Sequence, residues 1–228
     1  MFDLPSHLWI SITALGSAGL TLPLALTVAV WLALGYSWRR AAACLAVLAT
    51  SIGVVALTKI AFLGWGIGIR TWDFTGFSGH AMLSTSVYPV ALFLVLIRTR
   101  APVRLAGIGL GLAAGIAVGV SRVVLSAHSP SESITGCIVG ALAALEFICG
   151  SWRAEPRRWS VPAVCASLVL VIVALHGITV PSHRWVTQVA LQLSGHERPF
   201  VRARWKANPS YRPAAQSLTD MQKHILHA

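Results

Sequence analysis

The sequence predicts an all-α integral membrane protein, a helical bundle with about six transmembrane helices. Of its 228 residues, 56% are hydrophobic and only 11% are charged, whereas a soluble domain carries about 25% charged residues. The mean hydropathy is +0.72. Six apolar segments approach the roughly 20 residues that a helix needs to cross a bilayer. This composition argues against a soluble domain, a disordered chain and a nucleic-acid-binding protein, although the net charge is +11.

The six predicted spans follow one another along the chain with short loops between them. They are residues 17–36, 41–63, 80–97, 104–122, 133–150 and 160–179. Residues 1–15 are apolar but shorter, and Trp9 suits a membrane interface, so this segment predicts an interfacial helix. We expect no cleavable signal peptide, because Asp3 is present and a basic cluster is absent. The predicted domains are a transmembrane domain, 1–180, and a basic C-terminal tail, 181–228.

Arginines in alternate loops predict the orientation of the bundle. Eight of them follow the first, third and fifth spans: Arg39, Arg40, Arg98, Arg100, Arg104, Arg153, Arg157 and Arg158. Because basic residues mark cytoplasmic loops, these three loops are expected inside the cell, and loops 64–79 and 123–132 outside. Seven further basic residues lie in the tail: Arg184, Arg198, Arg202, Arg204, Lys206, Arg212 and Lys223. The tail is expected either to lie on anionic lipid or to form a solvated extension.

The fourth and fifth spans carry glycines at intervals of four residues, which let another helix approach closely. They are Gly107, Gly111, Gly115 and Gly119, followed by Gly136 and Gly140. Two interpretations stay open, a homodimer interface and packing inside one bundle. We favour internal packing, because a six-helix bundle needs close contacts.

Two groups of polar residues lie at the predicted outer ends of the spans. They are Lys59, Arg70, Asp73, Ser78 and His80, followed by Ser121, Arg122, His128 and Glu132. Ionisable residues at membrane depth are costly and usually functional. The three cations among them would attract an anion, and guanidinium and ammonium groups suit phosphate oxygens.

The same residues predict the parts of a catalytic site. Ser78–Gly79–His80 opens the third span, where the backbone N–H groups of a helix N-terminus can bind an anion. Two histidines, His80 and His128, can serve as acid and nucleophile. Glu132 follows His128 by four residues, so a helix would place its carboxylate where it can orient the imidazole. No metal-ligand spacing is present, and we expect no metal or other cofactor.

These motifs resemble the three-part signature of type-2 phosphatidic acid phosphatases, the lipid phosphate phosphatases, whose active site is related to that of vanadium haloperoxidases. The family pattern is K-x6-R-P, then P-S-G-H, then S-R-x5-H-x3-D. The chain has Lys59-x10-Arg70-Thr71, Phe77-Ser78-Gly79-His80 and Ser121-Arg122-x5-His128-x3-Glu132. The resemblance covers roughly residues 55–145.

The resemblance implies a role for each matching residue. His128 would attack phosphorus and form a phosphohistidine, His80 would protonate the leaving oxygen and later help to activate water, and Glu132 would orient His128. The remaining residues would bind the phosphate: Lys59, Arg70, Ser78, Gly79 and Arg122. No metal is needed for this chemistry.

The chain departs from the family pattern most clearly between Lys59 and Arg70, where ten residues replace six. The extra residues, 64–68, are expected to form a turn that still delivers Arg70. Asp73 has no counterpart in the signature, and it either pairs with Arg70 or faces water; we favour the second. Glu132 replaces aspartate and retains the charge.

The sequence therefore predicts a metal-independent lipid phosphate phosphatase in a bacterial-type inner membrane, with its active site facing the periplasm. Its expected partners are membrane lipids and a substrate such as undecaprenyl diphosphate, phosphatidylglycerol phosphate or phosphatidate. A phosphotransferase that uses the same site, an anion transporter and a catalytically inactive scaffold are the alternatives. The transporter is less favoured, because the sequence shows no convincing internal repeat or paired broken helices.

Overall fold

The computed structural model describes residues 5–154, 160–178 and 180–208, and within them the fold is all-α, as predicted. The helices are α1 (Ser6–Leu15), α2 (Ala18–Gly35), α3 (Trp38–Trp65), α4 (Gly79–Val95), α5 (Ala101–Val124), α6 (Pro130–Ser151), α7 (Val161–Leu175), α8 (Ser182–Ser194) and α9 (Arg202–Ala207). A one-turn 3-10 helix, Arg70–Trp72, lies between α3 and α4. Some residues used above lie outside the described part of the chain: Asp3, Arg157, Arg158, Arg212 and Lys223.

Helices α2 to α7 coincide with the six predicted spans. Four stretches in the described chain are long and apolar enough to cross a membrane: Ser6–Gly35, Trp38–Trp65, Ala101–Val124 and Pro130–Ser151. The first of these combines α1 with α2. Helices α4 and α7 are apolar but shorter. This pattern of helices is that of a membrane protein.

The chain divides into two compact units. The first unit comprises Met1–Val55 and Phe77–Val180, and the second comprises Ala56–Gly76 and Pro181–Ala228. The C-terminal segment of the second unit begins at Pro181, where the tail was expected to begin. The unit also includes the end of α3 and the loop after it. The predicted domain division did not include this association, because it depends on packing between segments that are far apart in sequence.

Helix α4 is the most enclosed helix of the first unit, and 12 of its 17 residues are buried. Three consecutive polar residues at its centre would be costly to bury without hydrogen bonds. Their hydroxyl groups donate to backbone carbonyl groups one turn earlier, from Ser84 to His80, from Thr85 to Ala81 and from Ser86 to Met82. These hydrogen bonds satisfy the hydroxyl groups within the helix, so α4 can lie at the centre of an apolar bundle.

The glycine stripe of α5 packs against α4 inside the first unit. A Cβ atom added at Gly111 would lie 2.6 Å from the Cα of Pro89, and one at Gly115 would lie 2.7 Å from the backbone nitrogen of Thr85. In α6, Gly140 likewise approaches Thr85 closely. This face is occupied within the chain, as the favoured interpretation predicted, and a homodimer through another surface stays a prediction.

The arginine-bearing loops of the first unit meet at the C-terminal end of α6. Arg40 Nη1 donates to the carbonyl group of Gly150 at 3.2 Å, and Arg104 Nη1 donates to that of Trp152 at 3.1 Å. Cations are favourable here, because a helix C-terminus carries partial negative charge. The N-terminal end of this 22-residue helix lies about 33 Å away at 1.5 Å per residue. The basic loops therefore share one end of the unit, as the predicted topology requires.

Replacing Gly111 by alanine should destabilise the protein, because the new Cβ would press on the backbone of Pro89. Overpacking of this kind costs about 1–3 kcal/mol. The measurement is thermal unfolding of the detergent-solubilised protein, with a lower midpoint expected for Gly111→Ala. Gly109→Ala is the matched control, because a Cβ at Gly109 has nothing within 4 Å. Equal losses in the two variants would contradict the close-packing role.

Candidate active site

The centre of the candidate site is a hydrogen-bonded pair at the start of α6. The Nδ1 of His128 lies 2.7 Å from the Oε2 of Glu132. Glu132 is 0% exposed, and the side chain of His128 is 14% exposed. The pair fixes the imidazole ring and directs its other nitrogen, Nε2, away from Glu132. A carboxylate on one ring nitrogen is the arrangement that prepares the opposite nitrogen for proton transfer or attack.

The same carboxylate also forms the first turn of α6. The backbone N–H of Ser129 donates to Glu132 Oε2 at 3.2 Å, and the hydroxyl oxygen of Ser129 accepts the backbone N–H of Glu132 at 3.4 Å. This reciprocal arrangement is a capping box. Glu132 therefore joins the orientation of His128 to the beginning of the helix.

Arg122 holds the turn that carries His128. Its carbonyl group accepts hydrogen bonds from the backbone N–H groups of Ala127, at 3.0 Å, and His128, at 3.2 Å. Ser126 adopts a left-handed conformation, with φ of 54°, which reverses the chain between α5 and α6. The guanidinium group donates through Nη1 to the hydroxyl oxygen of Thr13 in α1 at 3.2 Å. Its buried Nε has no hydrogen-bond partner among the described residues.

The beginning of α4 lies directly against the beginning of α6. The backbone N–H of Ser78 donates to the carbonyl group of Glu132 at 3.0 Å. A Cβ atom at Gly136 would lie 2.6 Å from the carbonyl oxygen of Ser78, so glycine is needed for this approach. Two helix N-termini, starting at Gly79 and Pro130, are thereby brought together. Their partial positive charges favour a bound anion.

Buried hydroxyl groups add to this polar region. The side-chain oxygens of Ser78 and Ser133 are buried without a hydrogen-bond partner in the described part of the chain. Ser133 was missed by the sequence analysis, because a serine one residue after the family motif has no distinguishing pattern. His80, in the first turn of α4, is half-buried, and its Cβ adjoins Gly16 in the turn between α1 and α2.

The first unit contains six of the eight proposed site residues, and the other two lie in the second unit. The first group is Ser78, Gly79, His80, Arg122, His128 and Glu132. In the second unit, Gly76 packs on Lys59, and a Cβ there would lie 3.1 Å from the Lys59 Cγ. Burial, and then the charge of Lys59, lower the pKa of His183, which the sequence analysis did not single out. The Arg70 guanidinium lies over the ring of Trp205, 4.8 Å from its centroid.

Asp73 forms ion pairs that neither expectation included. Its carboxylate lies 3.2 Å from Lys206 Nζ and 3.9 Å from Arg202 Nε. The favoured expectation that Asp73 simply faces water is therefore wrong. Part of the basic tail instead balances this carboxylate, and Ser182–Ser194 and Arg202–Ala207 are helical. Both expectations for the tail, contact with anionic lipid and a solvated extension, stay predictions.

Among the described residues, no group of three or more His, Cys, Asp or Glu side chains is arranged to hold a metal ion. The four cysteines are free thiols. The chemistry available in the first unit is that of an oriented imidazole, a second histidine, a guanidinium group and helix N-termini. These groups suit reactions of an anionic substrate that proceed by nucleophilic attack and proton transfer.

Comparison with known proteins agrees with this arrangement. The family model of the PAP2 superfamily matches residues 61–156, a range that contains all the proposed site residues except Lys59. A Klebsiella pneumoniae protein described as an uncharacterized 22.5 kDa protein in the cps region is 35% identical over 153 residues. The match covers 65% of this chain and 73% of that protein. No solved structure shows a significant match.

Replacing Glu132 by alanine should destabilise the first unit, because the N–H groups that donate to its carboxylate would lose a buried acceptor. An unsatisfied buried polar group costs about 1–3 kcal/mol. Thermal unfolding in detergent measures the loss, and Glu132→Gln should give an intermediate midpoint because it keeps one oxygen acceptor.

The matched control is Glu146→Ala, an exposed glutamate on the same helix. It should unfold at the midpoint of the parent protein. If Glu132→Ala were as stable as this control, the buried carboxylate would not stabilise the first turn of α6.

Proposed function

Because the chain belongs to the PAP2 superfamily, whose members are phosphatases, we propose that it removes phosphate from a membrane lipid through a phosphohistidine intermediate. The observation that carries this proposal is the 2.7 Å contact between His128 Nδ1 and the buried Glu132 carboxylate. An anion-binding site needs positive groups, but it does not need an imidazole held by a carboxylate. The pair therefore favours catalysis over anion transport.

In the proposed reaction, Nε2 of His128 attacks phosphorus and forms the P–N bond while the P–O bond to the lipid breaks. His80 donates a proton to the departing oxygen, so that the lipid leaves as an alcohol or, from a diphosphate, as a monophosphate. In the second step His80 takes a proton from water, and the oxygen attacks phosphorus. The P–N bond then breaks and inorganic phosphate leaves. Glu132 stabilises the positive charge on the His128 ring during attack.

The charge that develops on the phosphoryl oxygens is met by groups of fixed position. Arg122 and the N-terminal N–H groups of α4 supply donors in the first unit. Donors that are already oriented toward a developing charge contribute strongly to rate acceleration. The family signature adds Lys59 and Arg70 as further phosphate ligands, and their participation is part of the proposal.

A lipid substrate fits the setting of these residues. Glu132 lies in the first turn of a helix that is long and apolar enough to span a membrane, so a phosphate near His128 would sit close to the membrane surface. A lipid phosphate can present its head group there while its tail stays among apolar helices. Undecaprenyl diphosphate, phosphatidylglycerol phosphate and phosphatidate share this chemistry. The arginine-rich end of α6 is opposite, which supports a periplasmic active site in an inner membrane.

The purified protein should release inorganic phosphate from at least one of these three lipids in detergent micelles containing EDTA. His128→Ala should reduce the rate by at least about 10⁴-fold, because loss of a catalytic nucleophile has effects of that order. His176→Ala, an exposed histidine, is the matched control and should keep the parent rate.

Each other result has a distinct meaning. Release that His128→Ala leaves unchanged would contradict the nucleophile, and release abolished by EDTA but restored by a divalent cation would contradict metal independence. Phosphate transfer to an added lipid alcohol, in preference to water, would identify a phosphotransferase. A protein that binds these lipids without turnover would favour a transporter or an inactive scaffold.

The orientation is tested by labelling single cysteines in intact bacterial cells with a membrane-impermeant maleimide. The background variant replaces the native cysteines, Cys44, Cys137, Cys149 and Cys165. Thr71→Cys and Thr99→Cys are matched substitutions of exposed residues in the two kinds of loop. We expect labelling at position 71 and none at 99 until the cells are permeabilised. The reverse pattern would place the active site in the cytoplasm.

A further inference from the structure

In the second unit, the C-terminal segment lies along the loop that follows α3. The backbone N–H of Phe200 donates to the carbonyl group of Leu63 at 2.9 Å. The Nδ1 of His196 is within 2.8 Å of the carbonyl oxygen of Gly64. These hydrogen bonds join residues separated by more than 130 positions in the sequence, so the loop is anchored at its beginning by the C-terminal segment.

Two glycines allow aromatic rings to contact the backbone of this loop. A Cβ atom at Gly66 would lie 2.6 Å from the ring of Phe200, and one at Gly68 would lie 3.1 Å from the ring of Trp205. Gly66 also has a φ of 69°, which favours glycine. Both glycines belong to residues 64–68, the segment associated with the longer spacing between Lys59 and Arg70. The extra length is therefore packed against the C-terminal aromatic residues.

Trp205 then extends this contact to Arg70. Its side chain is 3% exposed, and Phe62 packs edge-on against it with 5.3 Å between ring centroids. The Arg70 guanidinium lies over the indole ring at 4.8 Å, within the range of a cation–π interaction. An arginine that lies over an aromatic face can be held in place there while its N–H groups still donate to phosphate oxygens.

Ion pairs hold the far side of the same loop. Asp73 lies 3.2 Å from Lys206 Nζ, and Arg202 Nη2 donates to the hydroxyl oxygen of Thr75 at 3.0 Å. These contacts are partly exposed and individually worth little. Their position on both sides of Trp205 in α9 nevertheless keeps the loop and α9 in register.

We propose that Trp205 is a positioning residue for Arg70, and that the C-terminal segment compensates for the longer connection between Lys59 and Arg70. This inference rests on the proposed function, in which Arg70 binds the substrate phosphate. Trp205 lies outside the range 61–156 that matches the family model. An unrestrained arginine side chain loses substantial rotamer entropy when it is fixed on a ligand. A ring that restricts Arg70 before substrate arrives lowers the ordering cost of binding.

Steady-state kinetics on dioctanoyl phosphatidate, with inorganic phosphate as a product inhibitor, test the inference. Trp205→Leu removes the aromatic face but keeps an apolar side chain. We expect it to raise KM and the phosphate inhibition constant about tenfold. The change in kcat should be less than about threefold, because Arg70 contributes to binding in both the ground state and the transition state.

Trp205→Phe should restore most of the affinity. Arg70→Ala should raise KM at least as much, and the double variant should be no worse than Arg70→Ala alone.

Trp152→Leu is the matched control, because Trp152 stacks on Arg104 at 4.3 Å in the first unit and has no proposed role in the reaction. It should leave KM unchanged.

A merely structural role for Trp205 would lower the unfolding midpoint and the active fraction without changing KM. If Trp205→Leu does not fold, Trp205→Phe should still raise KM by about two- to threefold, since tryptophan is the best cation–π partner; an unchanged KM would overturn the inference.

The proposed function and this inference fail in different ways. A parent protein that is inactive on every lipid tested would remove both. An active parent that depends on His128, combined with an unchanged KM in Trp205→Leu, would overturn the inference alone. An unchanged KM in Arg70→Ala would overturn the inference together with the phosphate-binding role of Arg70. Additive effects in the double variant would also overturn it, because they would show that Trp205 acts independently of Arg70.

Discussion

The hydrogen bonds of buried Glu132 are the interactions on which the candidate site depends. Its carboxylate lies against the His128 imidazole and accepts a backbone N–H in the first turn of α6. Its backbone carbonyl group accepts the N–H of Ser78 at the start of α4. A fully buried carboxylate is tolerated only when hydrogen bonds replace its hydration. The groups that satisfy Glu132 are therefore also the groups that it orients. The contacts that allow Glu132 to be buried are thus the same contacts that orient the proposed nucleophile.

Close backbone approach is the second requirement of the first unit. Gly136 brings α6 onto Ser78, and the glycines of α5 bring that helix onto α4. In a membrane-spanning bundle the hydrophobic effect does not hold helices together, so close packing and hydrogen bonds carry more of the association. The same packing aligns the N-termini of α4 and α6, where an anion is favoured. The small residues thus contribute to the site without touching a substrate.

In the second unit, packing orders the long loop that carries Arg70. Residues 64–68 lengthen the connection to Arg70, and longer loops are harder to order. Phe200, Trp205 and the pairing of Asp73 with basic residues of α9 supply the missing contacts. Three of the tail's seven basic residues lie in α9, and two of them, Arg202 and Lys206, form ion pairs with Asp73. Part of the positive charge of the tail therefore neutralises the carboxylate of Asp73.

Most of the helical bundle and the core of the site could be predicted from sequence. Apolar segment length defined the spans, and the His128–Glu132 spacing predicted the pair. The expected reason was wrong, because His128 lies in the turn before α6 and not on the helix. The capping box of Ser129 and Glu132 instead turns the carboxylate back toward the residues that precede the helix. The sequence did not identify which helix packs on the glycine face of α5. Glycines at intervals of four indicate that a helix approaches closely, but they do not indicate which one.

The sequence by itself determined the class of protein, the order of its helices, the pairing of His128 with Glu132 and the residues of the candidate site. Tertiary structure alone decided that Ser78 meets Glu132, that α4 is the enclosed helix and that Asp73 pairs with the tail. It also decided that Trp205 stacks on Arg70, 135 positions earlier in the chain. No local period or spacing records such a contact. It exists only because folding brings an aromatic face and a guanidinium group that are far apart in the sequence into contact.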